Sequence, residues 1–189
     1  MRSKVILAAI LVATSFLLLQ CSHTTAPEVE TARELTPVEK VLVQSSGDFG
    51  LKFFREVVAS EKNRNIFVSP LSVSMALGMT LNGAAGETRT AMEQALEHSG
   101  LSQSEINQSY RSLIDLLTGL DRRVTFQIAN SICYRQEMAF EQTFIDLNKK
   151  YFDAVVRAMN FNDAQGAANI INAWVNESTR GKIDKIIEA

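Results

Sequence analysis

Cysteine, histidine, proline and glycine are all scarce in this sequence. Its 189 residues hold two Cys, two His, three Pro and nine Gly. Two cysteines cannot build a disulfide framework, and two His with two Cys make a poor ligand set for a metal centre. So little Gly and Pro excludes a low-complexity linker or a collagen-like chain. Positive charge is not in surplus either: the formal net charge is −2 at pH 7, and an electrostatic grip on nucleic acid needs a basic excess. The catalytic motifs are missing as well, with no Gly-x-Ser-x-Gly elbow, no phosphate-cradling glycine loop and no His-Glu-x-x-His. What the chain does have is 46% hydrophobic and 21% charged residues, the balance of a medium globular domain.

The N-terminus reads as an address. Arg2 and Lys4 precede residues 5–19, which carry no charge. A membrane-spanning helix needs about twenty apolar residues, so this run fits the apolar core of a secretory signal peptide. It closes on Leu18-Leu19-Gln20-Cys21, which resembles the lipobox of bacterial lipoproteins, with Gln20 departing from the usual small residue. The resemblance implies removal of residues 1–20 and lipidation of Cys21. An ordinary signal peptide with a nearby cysteine and a Leu-rich uncleaved anchor are the other readings. Residues 22–35 are polar, contain Pro27 and lack apolar periodicity, so 21–35 reads as a tether and 36–189 as the folded domain.

Within 36–189 the pattern predicts helices first. Thr36-Pro37-Val38-Glu39 combines a cap, a proline at the first helical position and a capping box, and Val38, Val41, Leu42, Leu51, Phe54 and Val58 recur at helical spacing. Ile66-Phe67-Val68 reads as a short strand. Ser69-Pro70 starts a helix over 71–81 that is apolar almost all round and therefore buried; Asn82-Gly83 ends it. A third helix covers 86–96, and Ser102 with Glu105 opens a fourth that runs to Gly119. The period then changes to two over 124–134, predicting a long strand with one small face, Ala129, Ser131 and Cys133. A helix over 140–151, a strand over 154–159 and a last helix capped by Asn162 and Gln165 follow; the last helix carries Ile170, Ile171, Trp174 and Val175 and ends at Gly181. No internal repeat or inner boundary is visible.

Chemistry is thin. A thiol nucleophile would need Cys133 beside a histidine, but Cys133 falls mid-strand and reads as a buried inert thiol, while His98 reads as a surface turn residue. No catalytic residue, cofactor or metal is expected. Arg122-Arg123 and Lys149-Lys150 read as solvated charge. Asn107-Gln-Ser109 and Asn176-Glu-Ser178 have the spacing of glycosylation sites.

Four stretches are more specific. Asn65-Ile-Phe-Val-Ser-Pro-Leu-Ser-Val-Ser-Met-Ala-Leu77 resembles the serpin signature at the start of the second helix. Gly83-Ala-Ala-Gly-Glu-Thr88 resembles the turn from helix B to helix C, Ile128-Ala-Asn-Ser131 the second strand of sheet A, and Ile171-Asn-Ala-Trp-Val-Asn-Glu-Ser-Thr-Arg-Gly-Lys-Ile183 the end of helix F. They occur in the family's order and span residues 38–189.

The resemblance implies an α+β, serpin-like fold: helices A to F with the first strands of sheet A and one sheet B strand. It also implies that the C-terminal half of the fold, with the reactive loop that meets a protease, lies outside this chain. Serpins trap serine proteases, and some trap cysteine proteases, as an acyl-enzyme while the cut loop inserts into sheet A. By resemblance, Asn65, Ser69 and Ser72 fall in the sheet-opening (shutter) region, and Asn172 on helix F matches a position packed above it. The expected function is a membrane-tethered serine protease inhibitor, present as a fragment, or alternatively a truncated non-inhibitory relic or cell-surface interaction module. The expected location is the cell envelope, or secretion if Cys21 is not lipidated. Some family members bind heparin through a basic helix D. Here the matching helix over 102–118 carries one basic residue, Arg111, so no heparin site is expected, and no nucleic acid partner.

Overall fold

A computed structural model describes residues 32–121 and 123–189. Helix α1 (Pro37–Ser60) begins as the sequence predicts. Thr36 Oγ1 accepts from the Glu39 amide at 3.2 Å, and Glu39 Oε2 accepts from the Thr36 amide at 2.7 Å. Arg33 adds two contacts to the same carboxylate, at 2.7 and 2.8 Å, and reaches Ser112 Oγ at 2.6 Å. Arg33, which the sequence places in the tether, is thus held on the folded domain. Leu42 and Phe49 turn to the core, whereas Val41, Leu51, Phe54 and Val58 form an exposed second stripe. The predicted strand Ile66-Phe67-Val68 forms no ladder, and Phe67 is 99% exposed. No strand among the described residues lies alongside it to satisfy its backbone.

Helix α2 (Pro70–Leu81) is capped by Ser69. It buries Met75, Met79 and Leu81, but Ser72, Ala76 and Thr80 form an exposed stripe, so the prediction of a helix buried all round is corrected. Gly78 is required by packing: a Cβ there would lie 3.0 Å from Tyr110 Cε2 and 3.4 Å from Phe152. Helices α3 (Gly86–Ala95) and α4 (Gln103–Thr118) follow, the latter with both halves of the Ser102–Glu105 capping box. Ile106, Tyr110, Leu113 and Ile114 form its buried face at spacings of three and four.

Strand β1 (Ser131–Arg135), helix α5 (Gln142–Phe152) and strand β2 (Val155–Met159) make one crossover unit, and β1 and β2 pair in parallel from Ser131↔Val155 to Arg135↔Met159. The predicted strand over 124–134 is paired only from Ser131 onward, because β2 supplies partners over five positions and no other described strand lies beside 124–130. Phe140 joins Tyr134 and Phe144 in an aromatic row, with centroids 4.6 and 5.6 Å apart, so α5 starts two residues later than expected.

The two faces of this pair have different fates. Ile132 and Val156, with Ile128, pack on the core of Leu42, Met75, Met79, Ile106, Tyr110 and Phe152. The small face, Ser131 and Cys133 with Val155 and Arg157, meets Ile170, Ile171 and Trp174 of helix α6 (Ala164–Ser178). The cap of α6 is corrected too. Asp163 Oδ1 accepts from the Gly166 amide at 2.9 Å, while the Asn162 amide is held in a turn by Asn160 Oδ1 at 3.0 Å. A carboxylate is the better partner for the positive end of a helix. No helix among the described residues is long and apolar enough to cross a membrane.

Candidate functional site

The first turn of α2 and residues 126–131 stand apart and enclose a cavity of about 440 Å³. Ser69, Ser72, Met75, Ala76 and Met79 line it from α2 and its cap, Ile128 and Ser131 from the facing segment, and Trp174 from α6. Ser72 and Ala76 of the exposed stripe of α2 therefore face this gap. The two serines are brought together: their hydroxyls are 2.8 Å apart, and Ser69 Oγ also accepts from the Ser72 amide at 3.3 Å. The cap of α2 is thus tied by side-chain hydroxyls at the edge of a cavity rather than set in packed hydrocarbon.

The other expected residues lie apart from this pair. Asn65 is exposed, four residues before Ser69. Asn172 is directed at the segment after α6: its Oδ1 accepts from the Ile186 and Ile187 amides at 2.9 and 3.3 Å, and its Nδ2 donates to the Ile187 carbonyl at 2.9 Å. The α6 residue that meets the cavity is Trp174. Cys21 lies outside the described residues.

Asn130 is a site residue that sequence reasoning missed. Its Nδ2 donates to the Phe152 carbonyl at 2.8 Å and its carbonyl accepts from the Val155 amide at 2.9 Å. It fixes the point where 124–130 leaves the ladder. A polar residue inside an apolar alternation was the signal.

The thiol and the imidazole do not form a catalytic pair. Cys133 is half-buried rather than fully buried, and burial pushes its thiol pKa up, with Arg157 opposing. An inert thiol is the chemical result. His98 is 1% exposed, which corrects the surface reading, and neither ring nitrogen has a hydrogen-bond partner. Of the two glycosylation-like asparagines, Asn107 is 1% exposed and bound inside the body, and Asn176 donates to Asp184 at 3.1 Å. Arg111 on α4 is held by Asp115 and Asp153. Among the described residues no group of three or more His, Cys, Asp or Glu could hold a metal ion.

The family model described as "Serpin (serine protease inhibitor)" matches residues 44–189. The chain belongs to the serpin family. Serpins similar to it include alpha-1-antitrypsin 1-4 of Mus musculus, 27% identical over 85% of this chain and 40% of that protein. Corticosteroid-binding globulin of Homo sapiens is 33% identical over 75% of this chain and 36% of that protein. The chain thus spans about two fifths of the length of these serpins. Among solved structures, cleaved kallistatin complexed with heparin superposes with a TM-score of 0.71 at 25% identity, covering 77% of this chain and 43% of that one. Glycosylated human kallistatin gives 0.73 at 24% identity, covering 80% and 42%. The fold described above is accordingly a partial serpin fold, rich in helix with the first pair of sheet strands.

Proposed function

We propose that this chain is the N-terminal portion of a serpin that inhibits serine proteases and is held at a membrane through a lipid on Cys21. The observation that carries the reading is the serpin family match over residues 44–189, with Ser69 and Ser72 paired at the cavity between α2 and residues 126–131. An inhibitory serpin must admit its own cleaved loop as a new sheet strand, the standing example of strand addition. The role of this chain is then mechanical: Ser69 and Ser72 cap α2 at the opening, Trp174 bears on it from α6, and Asn65 and Asn172 flank the moving parts. The reactive loop belongs to the later part of the fold. The protein acts as a trap for an enzyme and not as an enzyme itself.

A second reading has its own support. Corticosteroid-binding globulins are at least as similar to this chain as the antitrypsins are, so a serpin body that carries or contacts a partner without trapping a protease is the alternative. The two separate on one experiment. The complete polypeptide is incubated with a panel of serine and cysteine proteases and run on denaturing gels. A complex that survives heat and detergent supports the inhibitor; clean cleavage with no complex at any protease supports the alternative. Tethering is tested separately: labelled palmitate should enter the wild-type protein and not Cys21→Ser. With Arg111 neutralised on both sides, α4 should give no retention on heparin resin at physiological salt.

A further inference from the structure

Among the described residues, the buried side-chain atoms left without a hydrogen-bond partner are both ring nitrogens of His98, Oε1 of Gln103 and Oδ1 of Asn107. They fall on the corner between α3 and α4 and on the first two turns of α4. The chain reverses there through Glu97, whose φ of 58° is left-handed. The His98 amide donates to the Glu93 carbonyl at 2.9 Å and its carbonyl accepts from the Leu101 amide at 3.2 Å. The ring then turns inward, edge-on to Tyr110 with centroids 5.9 Å apart. Tyr110 is the junction of the body, since it packs on Phe152 at 5.1 Å and its hydroxyl donates to the Ser74 carbonyl at 3.2 Å. An imidazole with no acceptor for its N–H protons fits this place only while neutral.

We propose that the α3–α4 corner is an acid-sensitive latch: protonation of His98 makes its buried ring a cation without a partner, and the corner releases from Tyr110. The surrounding charges do not rescue that cation. Glu93 on α3 is paired with Arg89 at 2.8 Å, and Glu97 beyond it is paired with Lys52 of α1. From α4 the titratable groups are Glu105, bound to the Ser102 amide and hydroxyl, Tyr110, whose hydroxyl pKa burial pushes up to about 12, and Arg111 with its partner Asp115, Arg111 also meeting Asp153. Helix α2 has no charged residue, and on α5 Asp146, Lys149 and Lys150 are exposed. Desolvation lowers the His98 pKa from the ordinary 6.5 to about 4, against a weaker upward pull from Glu93. The unfolded chain therefore takes the proton first. Stability is complete above about pH 6.5 and is lost as pH falls to about 4.

The test uses the complete protein with His23→Asn, which leaves His98 as its sole histidine within 1–189. Urea unfolding is compared at pH 7.5 and 4.5 with and without His98→Phe. The unfolding constant should rise roughly fifty- to a hundredfold more with His98 than with Phe; parallel changes overturn the latch. If the Phe variant does not fold, NMR of the His98 protein decides. The ring should stay neutral to near pH 4, and the amides of residues 98 and 101 should lose exchange protection as it protonates. Titration near 6.5, or protonation with protection intact, overturns the proposal.

Discussion

Asn82, the residue after α2, ties three elements together through one side chain. Its Nδ2 donates to Asn148 Oδ1 of α5 at 3.0 Å, and its Oδ1 accepts from Asn107 Nδ2 of α4 at 2.9 Å and from Gln103 Nε2. Replacement by Ala strands all three. Gln103 is half-buried and can turn to water, but Asn107 and Asn148 are 1% and 0% exposed. Each stranded buried group costs about 1–3 kcal/mol. The expected loss is therefore about 3 kcal/mol, a large part of the 5–15 kcal/mol typical of a domain, and about ten degrees in Tm at this size. Asn82→Asp sharpens the test. The introduced carboxylate still accepts from Asn107 and Gln103 but sets a negative oxygen against Asn148 Oδ1. Its folded pKa must rise above the ordinary aspartate value, because only the protonated form can donate to Asn148. The Asn82→Asp variant then recovers stability relative to wild type below about pH 4 and loses it as pH rises, whereas Asn82→Ala shows no such dependence. Urea titrations at pH 7 and pH 4 read both effects. A loss below about 1 kcal/mol for Asn82→Ala, or a pH-independent difference for Asn82→Asp, would refute the reasoning.

Three further outcomes follow from the packing. Arg33 and the capping amide hold the Glu39 carboxyl at about 2 rather than 4.5, so Glu39→Gln should cost about 1–2 kcal/mol of stability at pH 7, read as a lower urea midpoint. That difference, present above about pH 4.5, should fade as pH falls through about 2. Gly78→Ala gains about 1 kcal/mol of helix propensity but drives a methyl against Tyr110 and Phe152, a strain of about 1–3 kcal/mol; thermal melts should show a net loss, larger for Val. Cys133→Phe overfills the face under α6 and should shift the emission of Trp174, the sole tryptophan, to the red as the helix lifts; an unmoved spectrum would show that α6 does not rest on this face.

Much of the fold was legible because its signals are local. The capping boxes at Thr36 and Ser102, the proline starts at Pro37 and Pro70 and the small face at Ser131 and Cys133 each act within a few residues, and each lies where the sequence placed it. The serpin relationship was legible in the same way, from runs such as 65–77. The misread strands have a different cause. Ile66–Val68 and 124–130 have strand character, but a ladder needs a second chain segment, and that depends on the tertiary surroundings. Asn162 looked like the cap, yet Asp163 won by standing one residue nearer the helix with a full charge.

By itself, the sequence of this protein determined which segments are helices, the starts of α1, α2 and α4, and the family they belong to. Tertiary structure alone decided that the small sheet face lies under α6, that Asn172 grips residues 186–187 while Trp174 meets the cavity, and that His98 is buried against Tyr110. Periodicity marks a face as apolar or polar from the energy of water contact along one segment. It cannot say which distant segment covers that face, because that depends on the packing of elements far apart in the chain.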